Sequence, residues 1–255
     1  MYIRFTPLRF RVSAETPIVA VAMKFSPFGL LLVAIGSWLP ACGATVEPIQ
    51  VADGCPDMPL RGPEEWADAP LEAVIDNFED GDLKVLDIAG RSGSWYSFPV
   101  ASPTAAGEAS TRCAARGMRA GHFVVTSGDN PTNWNATMVD PFTAVIPYNA
   151  TAWGGFSFWI ATGDPAGDGT VMTVGINTPA VITGQGTCTM CGDYHSTSIT
   201  LTRHWTRWSI RFDDLKQRGF GIPPVDRVSR DQLVNFIFWP ANPFDLWIDD
   251  FRFEP

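Results

Sequence analysis

The sequence contains few charged residues and few of the groups that enzymes use for catalysis. Only 18% of its 255 residues are Asp, Glu, Lys or Arg, and it has three histidines. It has no G-x-S-x-G nucleophile elbow, no H-E-x-x-H zinc helix, no phosphate-binding loop and no dinucleotide fingerprint. These absences argue against the commonest hydrolases and nucleotide-dependent enzymes. We therefore expect no catalytic residues, and a glycoside hydrolase built on two carboxylates is the remaining enzymatic alternative.

Basic residues are scarce, and sustained helical patterns are missing. The chain has 18 Lys and Arg against 27 Asp and Glu, which gives a net charge of −9. Such a chain repels a phosphate backbone, so we expect no nucleic-acid partner. Gly and Pro, 23 and 21 in number, interrupt nearly every stretch that could form a long helix. What is abundant is aromatic: 10 Trp, 17 Phe and 4 Tyr predict a packed core and a β-built protein.

The longest apolar run has the layout of an export signal. Lys24 precedes the apolar residues 25–39, and Leu39-Pro40-Ala41-Cys42 follows, a sequence that resembles the lipobox of bacterial lipoproteins. We predict that residues 1–41 are removed and that Cys42 carries a lipid that tethers the chain to a membrane. The alternative is an ordinary secreted protein cut after Ala41 or Ala44.

Three further expectations follow from this N-terminal segment. Met23 is a second possible start, which would make residues 1–22 an upstream extension. Removal of residues 1–41 would change the net charge from −9 to −12, because that segment has four basic residues and one acid. Gly43 lacks the aspartate that retains some lipoproteins at the inner membrane. We therefore predict an extracytoplasmic lipoprotein at the outer membrane or cell surface.

Besides the lipidated Cys42, four cysteines remain after the predicted cleavage: Cys55, Cys113, Cys188 and Cys191. An even number in an exported chain indicates disulfides. The spacing of Cys188 and Cys191 favours a local bridge, which leaves Cys55 to pair with Cys113. The alternative is a metal site, although one C-x-x-C pair is a weak zinc signal. Its further ligands would be Asp193 or His195.

The rest of the chain predicts a spacer followed by one all-β domain. Residues 42–70 contain five prolines and no periodicity, so we expect a spacer there and a domain over residues 71–255. Within the domain, Phe156, Phe158 and Ile160 alternate with polar or outward positions, as in a strand. Further strand-like segments are 122–126, 170–176, 197–202, 205–212, 234–239 and 244–253. Short strands between turn signals favour an antiparallel β-sandwich and a monomer of one domain.

The order of several motifs resembles a known family of domains. These motifs are I-D-N-F-E-D-G-D at 75–82, Trp95, W-G-G-F-S-F-W-I at 153–160, W-x-x-W-x-I-x-F-D-D-L at 205–215 and D-L-W-I-D-D-F-R-F at 245–253. This order is similar to that of galactose-binding-like jelly rolls, especially carbohydrate-binding modules of the family 11 type. The segment 188–195 also resembles a loop of myxobacterial-type lipoproteins. The resemblance covers residues 72–254.

The resemblance implies a jelly-roll β-sandwich with one concave sheet that binds ligand, and a structural calcium ion between the first and last strands. Calcium takes six to eight oxygens, mostly from carboxylates and carbonyls. The residues that match this site are Glu79, Asp82, Asp249 and Asp250. Because adjacent strand residues point to opposite faces, we expect only one of Asp249 and Asp250 to face the ion. The alternative is that these acids are solvated turn residues.

Sugar binding needs aromatic side chains that lie outside the core. By alternation Trp159 lies opposite Phe156 and Phe158, and other aromatic residues lie in Gly-, Ser- or Asn-rich contexts. The aromatic candidates are Trp95, Tyr96, Trp134 and Trp159. The alternative for each Trp is core packing, which Trp153 and Trp208 fit better.

Polar side chains beside such rings would bind sugar hydroxyls. The polar candidates are Asp193, His195, Arg207 and Arg211. Asp193 and His195 follow the cysteine loop, which could hold them at the rim of the sandwich, and the alternative there is a plain surface loop. The sequence therefore predicts a surface-anchored protein that binds a poly- or oligosaccharide without catalysis. The alternative is an adhesion lipoprotein that binds a protein partner and has no glycan affinity.

Overall fold

The structure, a computed structural model, describes residues 8–10, 18–20, 54–57, 69–98, 105–125, 136–140, 147–240 and 243–255. The chain divides into two compact units, residues Met1–Val46 and Glu47–Pro255. The first unit contains an antiparallel pair, β1 (Leu8–Phe10) and β2 (Ile18–Ala20). The apolar run 25–39, Cys42 and Trp134 lie outside the described residues. The signal, the lipid anchor and the domain boundary at residue 71 therefore stay predictions.

The second unit is built from short strands joined by turns. Its strands are β3 (Val74–Asp76), β4 (Ser94–Phe98), β5 (Ala105–Ser110), β6 (Ala120–Val125), β7 (Ala136–Asp140), β8 (Gly155–Thr162), β9 (Val171–Asn177), β10 (His195–Thr200), β11 (Thr206–Arg211), β12 (Asn235–Trp239) and β13 (Phe244–Glu254). Helical structure in the described residues is limited to 3-10 turns at Leu71–Ala73, Pro165–Gly167, Pro179–Val181 and Phe212–Asp214. No helix among those residues is long and apolar enough to span a membrane.

These strands form two antiparallel sheets. One sheet has the order β10-β9-β12-β7-β4, and the other has the order β11-β8-β13-β6-β5 with β3 added beside β13. The chain passes between the two sheets repeatedly, so most neighbouring strands are not consecutive in sequence, as in a jelly roll. The prediction of an all-β antiparallel jelly-roll sandwich is confirmed.

The main core lies between the two sheets and is rich in phenylalanine. In β8 the side chains of Phe156, Phe158 and Ile160 are buried, as their alternation predicts. Phe236 and Phe251 pack edge-to-face with ring centroids 4.8 Å apart, a favoured geometry for aromatic pairs. Trp153 and Trp208 are partly buried against this core, as expected.

A second apolar layer covers the other face of the six-stranded sheet. Cys113 and its neighbours Ala114 and Ala115 pack there against Trp159 and Trp247. All eight residues of β8 are therefore buried, including those that alternate away from the main core. This layer covers the ring of Trp159.

Two disulfides hold the loops to the sandwich, and their pairing is as predicted. Cys55 is bonded to Cys113, and Cys188 is bonded to Cys191. Beside the first bridge, the amide of Asp57 donates to the carbonyl of Arg203, and that of Trp205 donates to the carbonyl of Asp57. Part of the proline-rich segment is thus fixed to the sheet edge.

Candidate functional site

The outer face of the five-stranded sheet carries the side chains that could bind a ligand. In β12, Phe236 and Phe238 point into the core, so Ile237 and Trp239 lie on the opposite face. In β9, the buried Val174 is flanked in the same way by Thr173 and Gly175. The register pairs Trp239 with Thr173 and Ile237 with Gly175. We call Tyr96, Thr173, Arg218 and Trp239 the aromatic face; Tyr194, which is 7% exposed, is buried beside it.

Glycine at position 175 allows an aromatic ring to lie directly on the sheet. A Cβ at Gly175 would lie 2.5 Å from Cδ2 of Tyr194, so any larger residue would displace that ring. Tyr194 also packs with Val181 and Ile237, and its ring centroid lies 6.2 Å from that of Trp239. Trp239 remains half-buried, which leaves part of its indole accessible.

Arg218 extends over the ring of Trp239. Its Cζ lies 5.8 Å from the Trp239 ring centroid, and its Nη2 donates to Oγ1 of Thr173 at 3.2 Å. The side chain is exposed. A guanidinium beside an aromatic face presents both a stacking surface and several N–H donors.

The loop that carries Arg218 is held by the buried carboxylate of Asp193. Asp193 Oδ1 accepts the amide of Arg218 at 2.8 Å, and Oδ2 accepts those of Gly219 and Gly221 at 2.9 and 2.8 Å. Burial opposes ionisation of Asp193, but these amide hydrogen bonds outweigh it and hold its pKa below the ordinary value. The Cys188–Cys191 loop is joined to the same region, because the amide of Thr189 donates to the carbonyl of Ile222.

Tyr96 lies on the same outer face, two strands from β12. Register pairs Tyr96 with Met138 of β7, and Met138 with Ile237 of β12. Alternate strands of a sheet are about 10 Å apart and Trp239 lies two residues beyond Ile237, so the backbones of Tyr96 and Trp239 are roughly 12 Å apart. Tyr96 is half-buried. The structure therefore brings this predicted residue into the site.

Two of the predicted sugar platforms, Trp95 and Trp159, are instead buried. Trp95 is 3% exposed in the main core, where its Nε1 donates to Oδ2 of Asp76 at 2.7 Å. Trp159 is 7% exposed beneath the layer around Cys113. Neither ring can stack on a ligand. The prediction was wrong for both because alternation assigns a side chain to a face but does not tell whether that face is covered.

The predicted polar residues also lie elsewhere or have other partners. Asp193 and His195 are buried, and His195 Nε2 lies 3.0 Å from the carbonyl of Val225, while burial lowers its pKa. Arg207 and Arg211 belong to β11, an edge strand of the six-stranded sheet, and Arg207 forms an ion pair with Glu254. Asp193 and His195 are thus closed to a ligand, although Asp193 positions the loop of Arg218, while Arg207 and Arg211 are exposed on the other sheet, away from the aromatic face.

Sequence reasoning missed Trp239 and Arg218. A signal for Trp239 existed, because its alternation with Phe236 and Phe238 is the same criterion that selected Trp159. The position of Arg218 depends on a loop held by Asp193, 25 residues away in sequence. No local pattern predicts such a contact.

The acids expected to bind calcium are partly assembled. Glu79, Asp249 and Asp250 line one cavity of about 240 Å³ together with Arg116 and Arg252. Asp249 and Asp250 share this cavity, contrary to expectation, because the β13 register shifts between Asp249 and Arg252 and Asp250 has a φ of 45°.

Asp82 does not join this group. It is exposed, and its Oδ1 accepts the amide of Lys84 at 2.7 Å.

The oxygens in this cavity already have donors. Glu79 Oε1 accepts the amides of Met118 and Arg119 at 2.8 and 3.0 Å, and Asp249 Oδ2 accepts the amide of Arg116 at 2.9 Å. Asp250 Oδ2 lies 3.5 Å from Nη1 of Arg116. Burial raises the pKa of Asp249 to about 8.

Two guanidinium groups and several backbone amides thus already contact the carboxylate oxygens that a cation would bind. Among the described residues, no group of three or more His, Cys, Asp and Glu side chains is arranged to hold a metal ion. The residues in this arrangement do not fit a calcium cage. Calcium binding stays a prediction of the sequence. Titration of the protein with calcium, after bound metal is removed with a chelator, tests it.

Comparison with known proteins gives structural matches only. No family model matches the sequence, and no curated protein matches it. A family 11 carbohydrate-binding module from Clostridium thermocellum, in complex with a β-1,3-1,4-mixed-linked tetrasaccharide, is 16% identical with a TM-score of 0.47; the match covers 71% of this chain and 94% of that one.

Two other solved modules match in the same way. A family 30 module of a C. thermocellum cellulosomal cellulase is 16% identical, covers 72% of this chain and 97% of that one, and has a TM-score of 0.47. A xylan-binding family 22 domain of Paenibacillus barcinonensis is 13% identical, covers 73% and 96%, and has a TM-score of 0.41. All three matches have identities of 16% or less and TM-scores below 0.5.

Proposed function

We propose that the second unit binds a carbohydrate on its aromatic face without catalysis. The observation that carries this proposal is the half-buried indole of Trp239, which lies beside Arg218 and Thr173 on the outer surface of the sheet. The flat face of an indole matches the C–H side of a pyranose ring. The guanidinium and the hydroxyl supply hydrogen bonds to the sugar at the edge of that ring.

The spacing of the aromatic rings suits an extended chain rather than a single sugar. Tyr96 and Trp239 are separated by two strand spacings across the sheet and two residues along β12, or roughly 12 Å between their backbones. Two rings at this distance can contact successive parts of one oligosaccharide. Tyr194, buried over Gly175, supports the ring of Trp239 from within the protein. A preformed surface of this kind binds with little loss of side-chain entropy.

The carboxylates that could support glycoside hydrolysis do not form a catalytic pair. Asp193 is committed to the amides of Arg218, Gly219 and Gly221. Asp213 and Asp214 are exposed in the 3-10 turn after β11. Hydrolysis needs two carboxyl groups that flank one glycosidic bond. We therefore include the absence of catalysis in the proposal.

We further propose that this domain acts at a cell surface. The lipobox-like sequence ending at Cys42 and the proline-rich residues 43–70 support a lipid anchor followed by a spacer. Such a tether would let the aromatic face reach polysaccharide outside the membrane. Labelling of the expressed protein with a radioactive fatty acid, lost in Cys42→Ser, tests the anchor.

One observation favours the alternative of a protein partner. Met190, Phe220 and Ile222 are 50%, 43% and 49% exposed on two loops that are joined by backbone hydrogen bonds between Met190 and Ile222. Exposed apolar side chains that lie together are typical of interaction surfaces. Replacement of Met190 and Ile222 by serine would leave glycan binding intact under the main proposal.

Replacement of Trp239 by alanine should weaken glycan binding about 5- to 30-fold, because it removes the stacking surface, a contact of about 1–2 kcal/mol. The first measurement is retention of the purified chain in affinity gels that contain soluble polysaccharides. Oligomers of the polysaccharides that retain the chain are then titrated into it by calorimetry. Trp239→Phe, which keeps a flat ring, is the matched control and should bind almost normally. Equal retention of Trp239→Ala and wild type would contradict the proposal.

A further inference from the structure

We infer that the aromatic face takes an acidic glycan, in which the sugar units carry carboxylates, and that Arg218 binds the carboxylate. This inference rests on the proposed carbohydrate binding and names the class of sugar. It makes Arg218 the residue that determines specificity, while Trp239 supplies the stacking contact.

Arg218 is fixed at three points before any ligand arrives. Its amide is held by Asp193, its Nη2 by the hydroxyl of Thr173, and its Cζ lies over the ring of Trp239. Only one of its five N–H donors is used in these contacts. The others remain on an exposed side chain, in the planar fork that matches a carboxylate with two parallel hydrogen bonds.

Arg218 has no carboxylate partner among the described residues. Four other arginines do form ion pairs: Arg203 with Asp57, Arg207 with Glu254, and Arg116 and Arg252 with Asp250. Within the described part of the chain, Arg218 makes no ion pair. Asp193, the carboxylate that holds the Arg218 loop, accepts hydrogen bonds from three backbone amides.

A carboxylate on the ring of a sugar stacked on Trp239 would come within reach of this guanidinium. Both groups would then lie beside an aromatic ring, where water is partly displaced and a charge-assisted pair is stronger than in bulk solvent. A neutral glycan would satisfy the N–H donors but would leave the positive charge unpaired. The site therefore favours a uronate over its neutral ester.

The test compares short oligomers of galacturonate, glucuronate and mannuronate with their methyl esters, by calorimetric titration of the purified chain at one ionic strength. Short oligomers limit the repulsion between a long polyanion and a protein of net charge −9. We expect at least one acidic oligomer to bind about tenfold or more tightly than its ester. Arg218→Ala should remove this preference, and Arg218→Lys should keep part of it because the charge remains without the fork.

Arg211→Ala is the matched control, because it makes the same charge change on an exposed arginine of the other sheet. It should leave both affinity and preference unchanged. Binding that is lost in Trp239→Ala but shows no preference for the acid, or a preference that survives in Arg218→Ala, would overturn this inference and leave the proposed function standing. Failure to bind any acidic, esterified or neutral glycan would overturn both.

Discussion

Replacement of Asp193 by alanine is expected to lower the free energy of unfolding by about 3 kcal/mol, because it leaves three backbone amides without an acceptor. The backbone amides of Arg218, Gly219 and Gly221 all donate to this carboxylate, and the hydrogen bond from Gly221 is buried. Urea unfolding followed by tryptophan fluorescence measures the change. Asp213→Ala, which removes an exposed acid, is the matched control and should change stability by less than about 0.5 kcal/mol.

The contribution of Asp193 should depend on pH in a defined direction. Its pKa in the folded protein lies below the ordinary 3.8, because the amide bonds outweigh the effect of burial. The folded state therefore favours the ionised form, and the stabilisation is complete above the ordinary pKa. It is lost as the pH falls through the lowered value. The difference between wild type and Asp193→Ala should thus shrink below about pH 4, and a difference that grows there would contradict this account.

Glycan affinity should also fall in Asp193→Ala, although Asp193 is buried and contacts no ligand in the proposed site. The loss would come from release of the loop that holds Arg218 over Trp239. In the folded variant, the affinity for acidic oligomers should fall more than that for their esters. Equal losses for both would mean that Asp193 supports the domain without positioning Arg218.

Replacement of Asp76 by alanine is the second change with a large expected effect, again about 3 kcal/mol or more. Asp76 is fully buried; its Oδ1 accepts the amide of Phe78 and its Oδ2 accepts Nε1 of Trp95, both at 2.7 Å. Phe78 has a φ of 58°, which a residue with a side chain seldom adopts without local support. Alanine would leave two buried donors unpaired and a cavity beside the indole.

A double-mutant cycle separates these contributions to the unfolding free energy. Trp95→Phe removes the indole donor but keeps a ring among Phe78, Phe123 and the other aromatic residues of the core. If the Trp95 bond accounts for part of the loss, the two single changes should be less than additive in the double variant. Strict additivity would show that the bond contributes nothing.

The titration of Asp76 gives this residue the opposite pH dependence to Asp193. Burial raises the pKa of Asp76 to about 8, because the hydrogen bonds from Phe78 and Trp95, which lower the pKa, offset only part of the effect of burial. The folded state therefore keeps a proton that the unfolded chain releases near pH 4. The stabilisation is complete below the unfolded pKa and is lost as the pH rises towards about 8.

Asp76→Asn cannot ionise and isolates this effect. The stability of wild type relative to this variant should fall between about pH 4 and pH 8, by at most about 1.4 kcal/mol per pH unit. Urea unfolding at three pH values in this range measures it. A constant difference between the two proteins would show that Asp76 does not titrate in this window.

The strands and the local pairing of cysteines could be predicted from the sequence. Alternation in residues 156–160 depends only on the two-residue period of a strand, and the structure has β8 at Gly155–Thr162. Cys188 and Cys191 are three residues apart, so a bridge between them needs no knowledge of distant chain. That pairing in turn assigned Cys55 to Cys113.

The ligand site could be predicted only in part, and Tyr96 and Trp95 show why. These neighbours point to opposite faces of β4, as any strand requires. Which of them faces the core depends on the other sheet, which packs Phe123 and Phe251 against Trp95. The sequence selected both residues, and only packing separated the accessible ring from the buried one.

Sequence alone therefore determined the elements of this protein: short alternating strands, an aromatic core, two disulfides and an acidic surface, all of which follow from local periodicity and composition. The tertiary structure decided which faces stay open. Trp159 and Trp239 both alternate with core phenylalanines. Residues around Cys113 cover Trp159, whereas Trp239, on the other sheet, stays half-buried beside Arg218. Coverage depends on contacts between residues far apart in the chain, such as Asp193 with Arg218, and strand periodicity carries no information about them.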